Sequence, residues 1–219
     1  MTIVRDDPSI PDEGFAELYA QLPDAADLWP WLELAQAAAP PVLYLGIGTG
    51  RLAVPLQAAG IKLVGVDSHP GMLARIRRRL PGIELIQSRI EDLNLGRQFD
   101  LVVVPSNILC FVDRLRAAGS HVAADGLLAF ELTNPYWLRA GASAGVRVQS
   151  LDGNGARFEV DYKLPDGRTI TQQAEVPLVW PEEVENWLAT VAGLKLRRMF
   201  ARPDAELVNS PSFYVVAGK

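Results

Sequence analysis

One cysteine, Cys110, and two histidines, His69 and His121, are all that the 219 residues contain of the usual soft metal ligands. A lone cysteine excludes an intramolecular disulfide and a cysteine-built metal site, which suits a reducing, cytoplasmic setting. No apolar run approaches the roughly 20 residues needed to span a bilayer, so no membrane role is expected. The opening MTIVRDDPSIPDEG carries charge and proline where an export signal would carry an apolar core. Positive charge is not in excess either. The formal net charge is −5, which gives no general attraction to a phosphate backbone, so no nucleic-acid partner is expected. The basic run RIRRR at 75–79 falls on a predicted helix and reads as a solvated face. Repeats, low-complexity tracts and Pro/Gly/Ser linkers are lacking, and the length suits a single domain, 1–219, with a full core.

What the chain does have is alternation. Short apolar runs, VLYLGI, KLVGVD, IELIQS, DLVVVPS and LLAFELT, are separated by helical patterns over Leu52–Ala59, Gly71–Leu80 and Val112–Ala124. Near-continuous apolar strands joined by helices imply a parallel sheet covered on both faces, an α/β, doubly wound class. After Asn134 the period changes. In ARFEVDYKL, Phe158, Val160, Tyr162 and Leu164 share one side and the charged residues take the other, the period of a half-exposed strand. Turn signals at LDGNG and PDGR bracket it, so VRVQS, ARFEVDYKL and TITQQAEVPL predict a small antiparallel insertion at 146–178. WPEEVENWLATVAG then predicts a helix with Pro181 early and Gly193 at its stop. LKLRRMF and SFYVVAG supply the last two strands, within a final segment 179–219.

The stretch PVLYLGIGTGRLAVPL runs from a strand into a turn holding Gly46, Gly48 and Gly50, and then into a helix. Such a turn offers backbone N–H groups and a positive dipole end, and its missing side chains admit a ligand to the backbone. Arg51 stands where a dinucleotide fingerprint would place its third glycine, which disfavours a nucleotide-dependent oxidoreductase, and a P-loop lysine is absent. Asp67 ends the next strand about twenty residues on, where a carboxylate accepts both hydroxyls of a ribose. The plainer role for Asp67 is to cap the helix beginning near Gly71.

Taken together, VLYLGIGTGRLAVPL, LVGVDSHPGMLARIRRRL, ELIQSRIEDL, FDLVVVPSNIL and DGLLAFELTNP resemble the successive motifs of the class I S-adenosylmethionine-dependent methyltransferases, in order and in spacing. The resemblance runs from about Tyr19 to the final strand. It implies a Rossmann-like, seven-stranded, doubly wound sheet with its last strand antiparallel, a helical lid over 1–40 and a cofactor-binding core over 41–135. The insertion is similar to that of amino-sugar and glycine-type N-methyltransferases. The implied cofactor is S-adenosyl-L-methionine, and the implied partner is a small-molecule acceptor; a homodimer is left open. A chain that retained the fold and the cofactor without transferring a methyl group is the non-enzymatic alternative.

Carried over motif by motif, the resemblance puts Gly46, Ile47, Gly48 and Gly50 along the methionine half of the cofactor, Asp67 and Ser68 at the ribose and Met72 on the adenine. Arg89 stands where the family usually has an acid for the adenine amino group. Ile90 still offers its N–H, and Glu91 or Asp92 replaces the acid only if the loop is shifted. Pro105, Ser106 and Asn107 end the fourth strand, where the methyl group meets its acceptor, and Asn107 is the polar candidate for orienting it. Tyr44 replaces the family's usual Asp or Glu beside the cofactor's ammonium; it either offers a neutral oxygen there or packs in the core.

Transfer from sulfonium to nitrogen or oxygen is an in-line displacement that needs orientation and a dry pocket but no covalent intermediate. An amine acceptor must be neutral, whereas a hydroxyl wants a base or a metal. Neither histidine is placed for that work: His121 falls at a helix tail and His69 on the adenosine side, both as capping or surface groups. Tyr19 matches a lid tyrosine of the N-methyltransferase-like members and is a catalytic candidate. Trp29, Trp31, Tyr136 and Trp137 are candidates to wall an aromatic or cationic acceptor. Cys110 reads as buried and inert.

Overall fold

The computed structural model describes residues 2–5, 12–143, 145–153, 155–164 and 166–219. The turns expected at Asn154 and Pro165 therefore lie outside the described residues at those two positions.

The parallel core is assembled from β2 (Val42–Leu45), β3 (Leu63–Asp67), β4 (Glu84–Gln87), β5 (Phe99–Val104) and β6 (Val122–Thr133). Helices α3 (Ala53–Ala58), α4 (Pro70–Arg79) and α5 (Val112–Ser120) connect them. Strands β10 (Lys195–Phe200) and β11 (Ser212–Gly218) complete a seven-stranded sheet of order β10-β11-β6-β5-β2-β3-β4, with β11 antiparallel to both neighbours. This is the doubly wound architecture with an antiparallel last strand that the motif order implies. All four residues of β2 are buried, as a central strand covered on both faces requires.

Two apolar layers hold the sheet. On one face Leu43, Leu45, Val102, Val104, Phe130 and Phe213 pack with Leu115 of α5 and with Val184 and Leu188 of α7 (Val184–Ala192). On the other, Val42, Tyr44, Val103, Ala129 and Tyr214 pack with α3, α4 and Trp31 of α2 (Trp31–Ala37). Phe130 and Phe213 are fully enclosed, and removing such a ring from water contributes about 1.5–3 kcal/mol. Gly193 closes α7 in the left-handed conformation at φ 63°, which fits its reading as the helix stop.

The insertion differs in detail from the sequence expectation. Strands β7 (Val146–Leu151), β8 (Gly155–Lys163) and β9 (Thr169–Pro177) form the antiparallel meander, but a fourth strand, β1 (Thr2–Arg5), joins its edge parallel to β9. The segment 1–40, expected to be helical, thus contributes a strand before α1 (Glu13–Gln21). The buried face of this sheet, Val4, Leu164 and Ile170, packs on Phe15 and Leu18 of α1 and on Met72 of α4. The small sheet therefore backs the lid helix against the core. The helix expected to reach Ala124 stops at Ser120, because Val122 already pairs with Phe99 as the first residue of β6, and the Phe99 N–H donates to the His121 carbonyl at 2.8 Å. Among the described residues, no helix is long and apolar enough to cross a membrane.

Candidate functional site

A cavity of about 150 Å³ opens at the carboxyl ends of β2, β3 and β5 and beneath α1. Its floor is the glycine turn. Gly46 and Gly48 adopt φ 71° and 59°, and a Cβ at Gly48 would meet nothing within 4 Å, so the backbone there is bare toward open space. The turn is pinned rather than loose, since the Gly46 and Ile47 N–H groups both donate to the Val66 carbonyl, at 2.8 and 3.0 Å.

Asp67 ends β3 at the cavity wall. Its two oxygens accept the N–H of Gly48 at 2.8 Å and of His69 at 2.9 Å, so it braces the glycine turn and the start of α4 at once. Burial pushes its carboxyl up, against these backbone N–H groups, which pull it down. Asp67 is therefore not the cap of α4, since it holds the N–H of the residue before the helix while lining the cavity; the cap is His69. The His69 Nδ1 accepts from Gly71 N at 3.0 Å, which leaves Nε2 to donate to the Asp12 carbonyl at 2.9 Å and fasten the start of the lid.

Above the floor, Tyr19 and Phe15 of α1 close the cavity, with their rings 4.7 Å apart, and Tyr162 of the small sheet stands 6.2 Å behind Tyr19. The chain that follows α1 is tied to the glycine turn. Arg51 donates to the Pro23 carbonyl at 2.6 Å, Arg79 bonds Asp24 with both carboxylate oxygens and also donates to the Thr49 carbonyl, and Ala25 N donates to the Arg51 carbonyl. Arg51, which spoils a dinucleotide fingerprint, thus works as a fastener between lid and turn.

Of the residues singled out in the sequence, Tyr19, Gly46, Gly48, Asp67, Ser68, Met72, Arg89 and Ile90 line this cavity. Arg89 does so paired with Glu91, its Nε 3.0 Å from Oε1, and Arg114 of α5 approaches the same carboxylate at 3.5 Å. Burial tends to raise the Glu91 carboxyl, but its own backbone N–H and the two guanidinium groups hold it below the usual range. Glu91 itself lines the cavity, so an acid stands at this wall two residues beyond the expected position. Ser106, expected at the end of the fourth strand beside the methyl group, also lines the cavity, whereas Arg5, Asp12, Ile108 and Arg114 are wall residues that the sequence did not single out for this role.

Others are directed elsewhere. Tyr44 is 5% exposed and packs in the apolar layer with Val42, Leu56 and Tyr214; burial, with Asp67 and Glu131 nearby, pushes its hydroxyl far up. Tyr44→Phe should therefore leave affinity for the cavity's ligand within about twofold, whereas a tenfold loss in a calorimetric titration would put the hydroxyl on the ligand. Gly50 and Ile47 shape the turn without lining the cavity. Pro105 is buried, and Asn107 turns back into the fold: its Oδ1 accepts Thr133 N at 3.0 Å and its Nδ2 meets Cys110 Sγ at 3.6 Å. Trp29 and Trp31 pack edge-on to Tyr214, with Trp29 also against Phe200. Tyr136 donates to Glu182 at 2.9 Å and abuts Trp180, and Trp137 packs beside Leu138 and Phe158. These four aromatics bind the fold's outer elements together. Cys110 is buried, with its thiol pushed up to about 12, chiefly by that burial.

Comparison with known proteins agrees with this geometry. The profile of a family described as a methyltransferase domain matches residues 42–124. A dTDP-3-amino-3,6-dideoxy-alpha-D-glucopyranose N,N-dimethyltransferase from Streptomyces fradiae is 30% identical over 209 residues, covering 83% of this chain and 80% of that protein. The cypemycin N-terminal methyltransferase of a Streptomyces species is 29% identical over 153 residues, 63% of this chain and 62% of its own length. Among solved structures, an S-adenosylmethionine-dependent methyltransferase from Clostridium acetobutylicum superposes with a TM-score of 0.73 at 17% identity, over 94% of this chain and 97% of that one. The chain thus spans about three fifths of one curated relative's length and four fifths of the other's.

Proposed function

This chain belongs to the class I S-adenosylmethionine-dependent methyltransferases, and from that premise we propose that it transfers the methyl group to an amine nitrogen of a small metabolite. The observation that carries the cofactor assignment is the pairing of the bare Gly48 backbone with Asp67 across one cavity. A carboxylate at a strand end beside an open glycine turn suits a ribose and an adjoining chain of atoms, and Met72, Ile90 and Ile108 suit the faces of a purine. When bound, S-adenosylmethionine supplies an electrophilic methyl on a sulfonium.

The chain's own part is binding, orientation and exclusion of water. Asp67 holds hydroxyl groups, Glu91 accepts from an exocyclic amine, and Phe15 and Tyr19 cover the cavity under a lid held by Arg51 and Arg79. Fixing two reactants in line inside a dry site can supply several orders of magnitude in rate without any covalent help from the protein. An amine that arrives neutral brings its own lone pair, so no side chain has to remove a proton before the bond forms. Nitrogen is also the methylated atom in the name of one curated relative, an amino-sugar N,N-dimethyltransferase, and another is named for methylation at a peptide N-terminus.

Titration calorimetry with S-adenosylmethionine and S-adenosylhomocysteine tests the cofactor. Micromolar binding is expected, and no heat with either would remove it. Incubation with amine-bearing metabolites, amino sugars first, should then yield S-adenosylhomocysteine and an N-methyl product by mass spectrometry. Turnover confined to hydroxyl acceptors would overturn the choice of nitrogen.

A further inference from the structure

Glu131 lies near the end of β6, where it is half-buried and pairs across the sheet with Tyr214 of β11. One of its oxygens accepts the Ser106 N–H at 3.1 Å, and the other accepts the Ser212 hydroxyl at 2.5 Å. Ser106 is one of two non-glycine residues with positive φ among the described residues, at 74°. A side-chain-bearing residue keeps that left-handed shape only where its surroundings impose it, and such residues gather at functional sites. Here the surroundings are a carboxylate, a stronger acceptor for an N–H than a neutral group would be.

The turn so held leads from β5 to α5, and two of its residues, Ser106 and Ile108, form cavity wall. The Ile108 N–H donates to the Ser106 carbonyl at 2.8 Å, so the two move together. The Ile108 side chain lies over Gly46 so closely that a Cβ added there would stand 2.3 Å from its Cδ1. We propose that Glu131 is a positioning residue for the cofactor site: through the Ser106 N–H it keeps the β5–α5 turn left-handed, and so keeps Ile108 seated over Gly46. Resting on the cofactor reading above, the proposal adds a residue that the motifs do not mark and that touches the cavity only through its neighbour.

The test is calorimetric titration of the full chain with S-adenosylhomocysteine, with thermal unfolding measured alongside. The unaltered chain is titrated first, and its failure to bind overturns the cofactor reading and this proposal with it. Given binding, Glu131→Ala should lower the affinity by about tenfold, as Ser106 relaxes from its strained shape. Glu131→Gln should lower it by no more than about threefold, because its amide oxygen still accepts the N–H and its amino group can donate to Ser212. Adding Ser106→Gly to Glu131→Ala should restore most of the loss, since glycine takes the positive φ unaided. Should the alanine variant not fold, Glu131→Thr, too short to span the gap, serves the same comparison. A lowered unfolding midpoint with unchanged affinity, or a double variant that binds no better than Glu131→Ala, overturns the proposal.

Discussion

Asp67→Ala should reduce affinity for S-adenosylmethionine and S-adenosylhomocysteine by at least about a hundredfold while leaving the fold in place. Two hydrogen bonds from ribose hydroxyls to a carboxylate are worth about 1.5–3 kcal/mol each, and every 1.4 kcal/mol is a factor of ten. The same substitution strips the Gly48 and His69 N–H groups of their acceptor, which costs up to about 1–3 kcal/mol each, less where water in the cavity takes the carboxylate's place, against the 5–15 kcal/mol of an ordinary domain. Circular dichroism should thus show a folded chain with a lowered midpoint, and calorimetry one that no longer binds. Unchanged affinity would take Asp67 off the ribose. The pH dependence has a definite sign. Because burial raises the folded carboxyl above its unfolded value, the folded chain holds the proton longer. Its stability without ligand therefore falls as pH rises from the ordinary carboxylate range through the raised value, and that slope should be missing from Asp67→Ala.

What could be read from the residues divides by range. The glycine turn and Asp67 follow from patterns within a few dozen residues, Met72 and Ile90 from the resemblance of those motifs to a known family, and the structure brings them to one cavity. Local pattern also carries the parallel strands, whose apolar runs mark them even where, as in the edge strand β4, the ends are exposed, and the period-two alternation of β8. What local pattern does not carry is direction over long separations. Strand β1 is four residues long and finds its partner about 168 residues away in β9, where only the assembled sheet shows an edge free to receive it. Trp29 and Trp31 look like pocket walls because they follow a lid helix, yet β11 offers them Tyr214, and large apolar rings go where they bury most surface. Asn107 occupies the expected strand end but spends its amide on Thr133 and Cys110, so it fastens the turn it sits on. Glu131 shows the converse. Nothing in FELT distinguishes it until the carboxylate is found on the N–H of a left-handed serine.

Gly46→Ala should produce the other large effect, a loss of well over tenfold in affinity for S-adenosylhomocysteine, and its cause can be separated into two parts. The first is backbone: at φ 71° an alanine pays about 1–2 kcal/mol that glycine does not. The second is space. The new methyl would stand 2.3 Å from Ile108 Cδ1, and Ile108 can yield only by swinging its tip away from its seat beside the cavity. Gly60→Ala isolates the first part, because Gly60 has φ 89° with nothing within 4 Å of a Cβ and lies beyond α3, away from the cavity lining. It should lower the unfolding midpoint about as much and leave binding untouched. Gly46→Ala combined with Ile108→Ala isolates the second, since the clash disappears while the strained φ remains. Because Ile108 is itself cavity wall, the comparison is made within the Ile108→Ala background: if adding Gly46→Ala there costs much less affinity than it does in the unaltered chain, the seat of Ile108 over the glycine turn governs the site; if it costs as much, the shape of the turn itself does, and the β5–α5 turn has less to do with holding the cofactor.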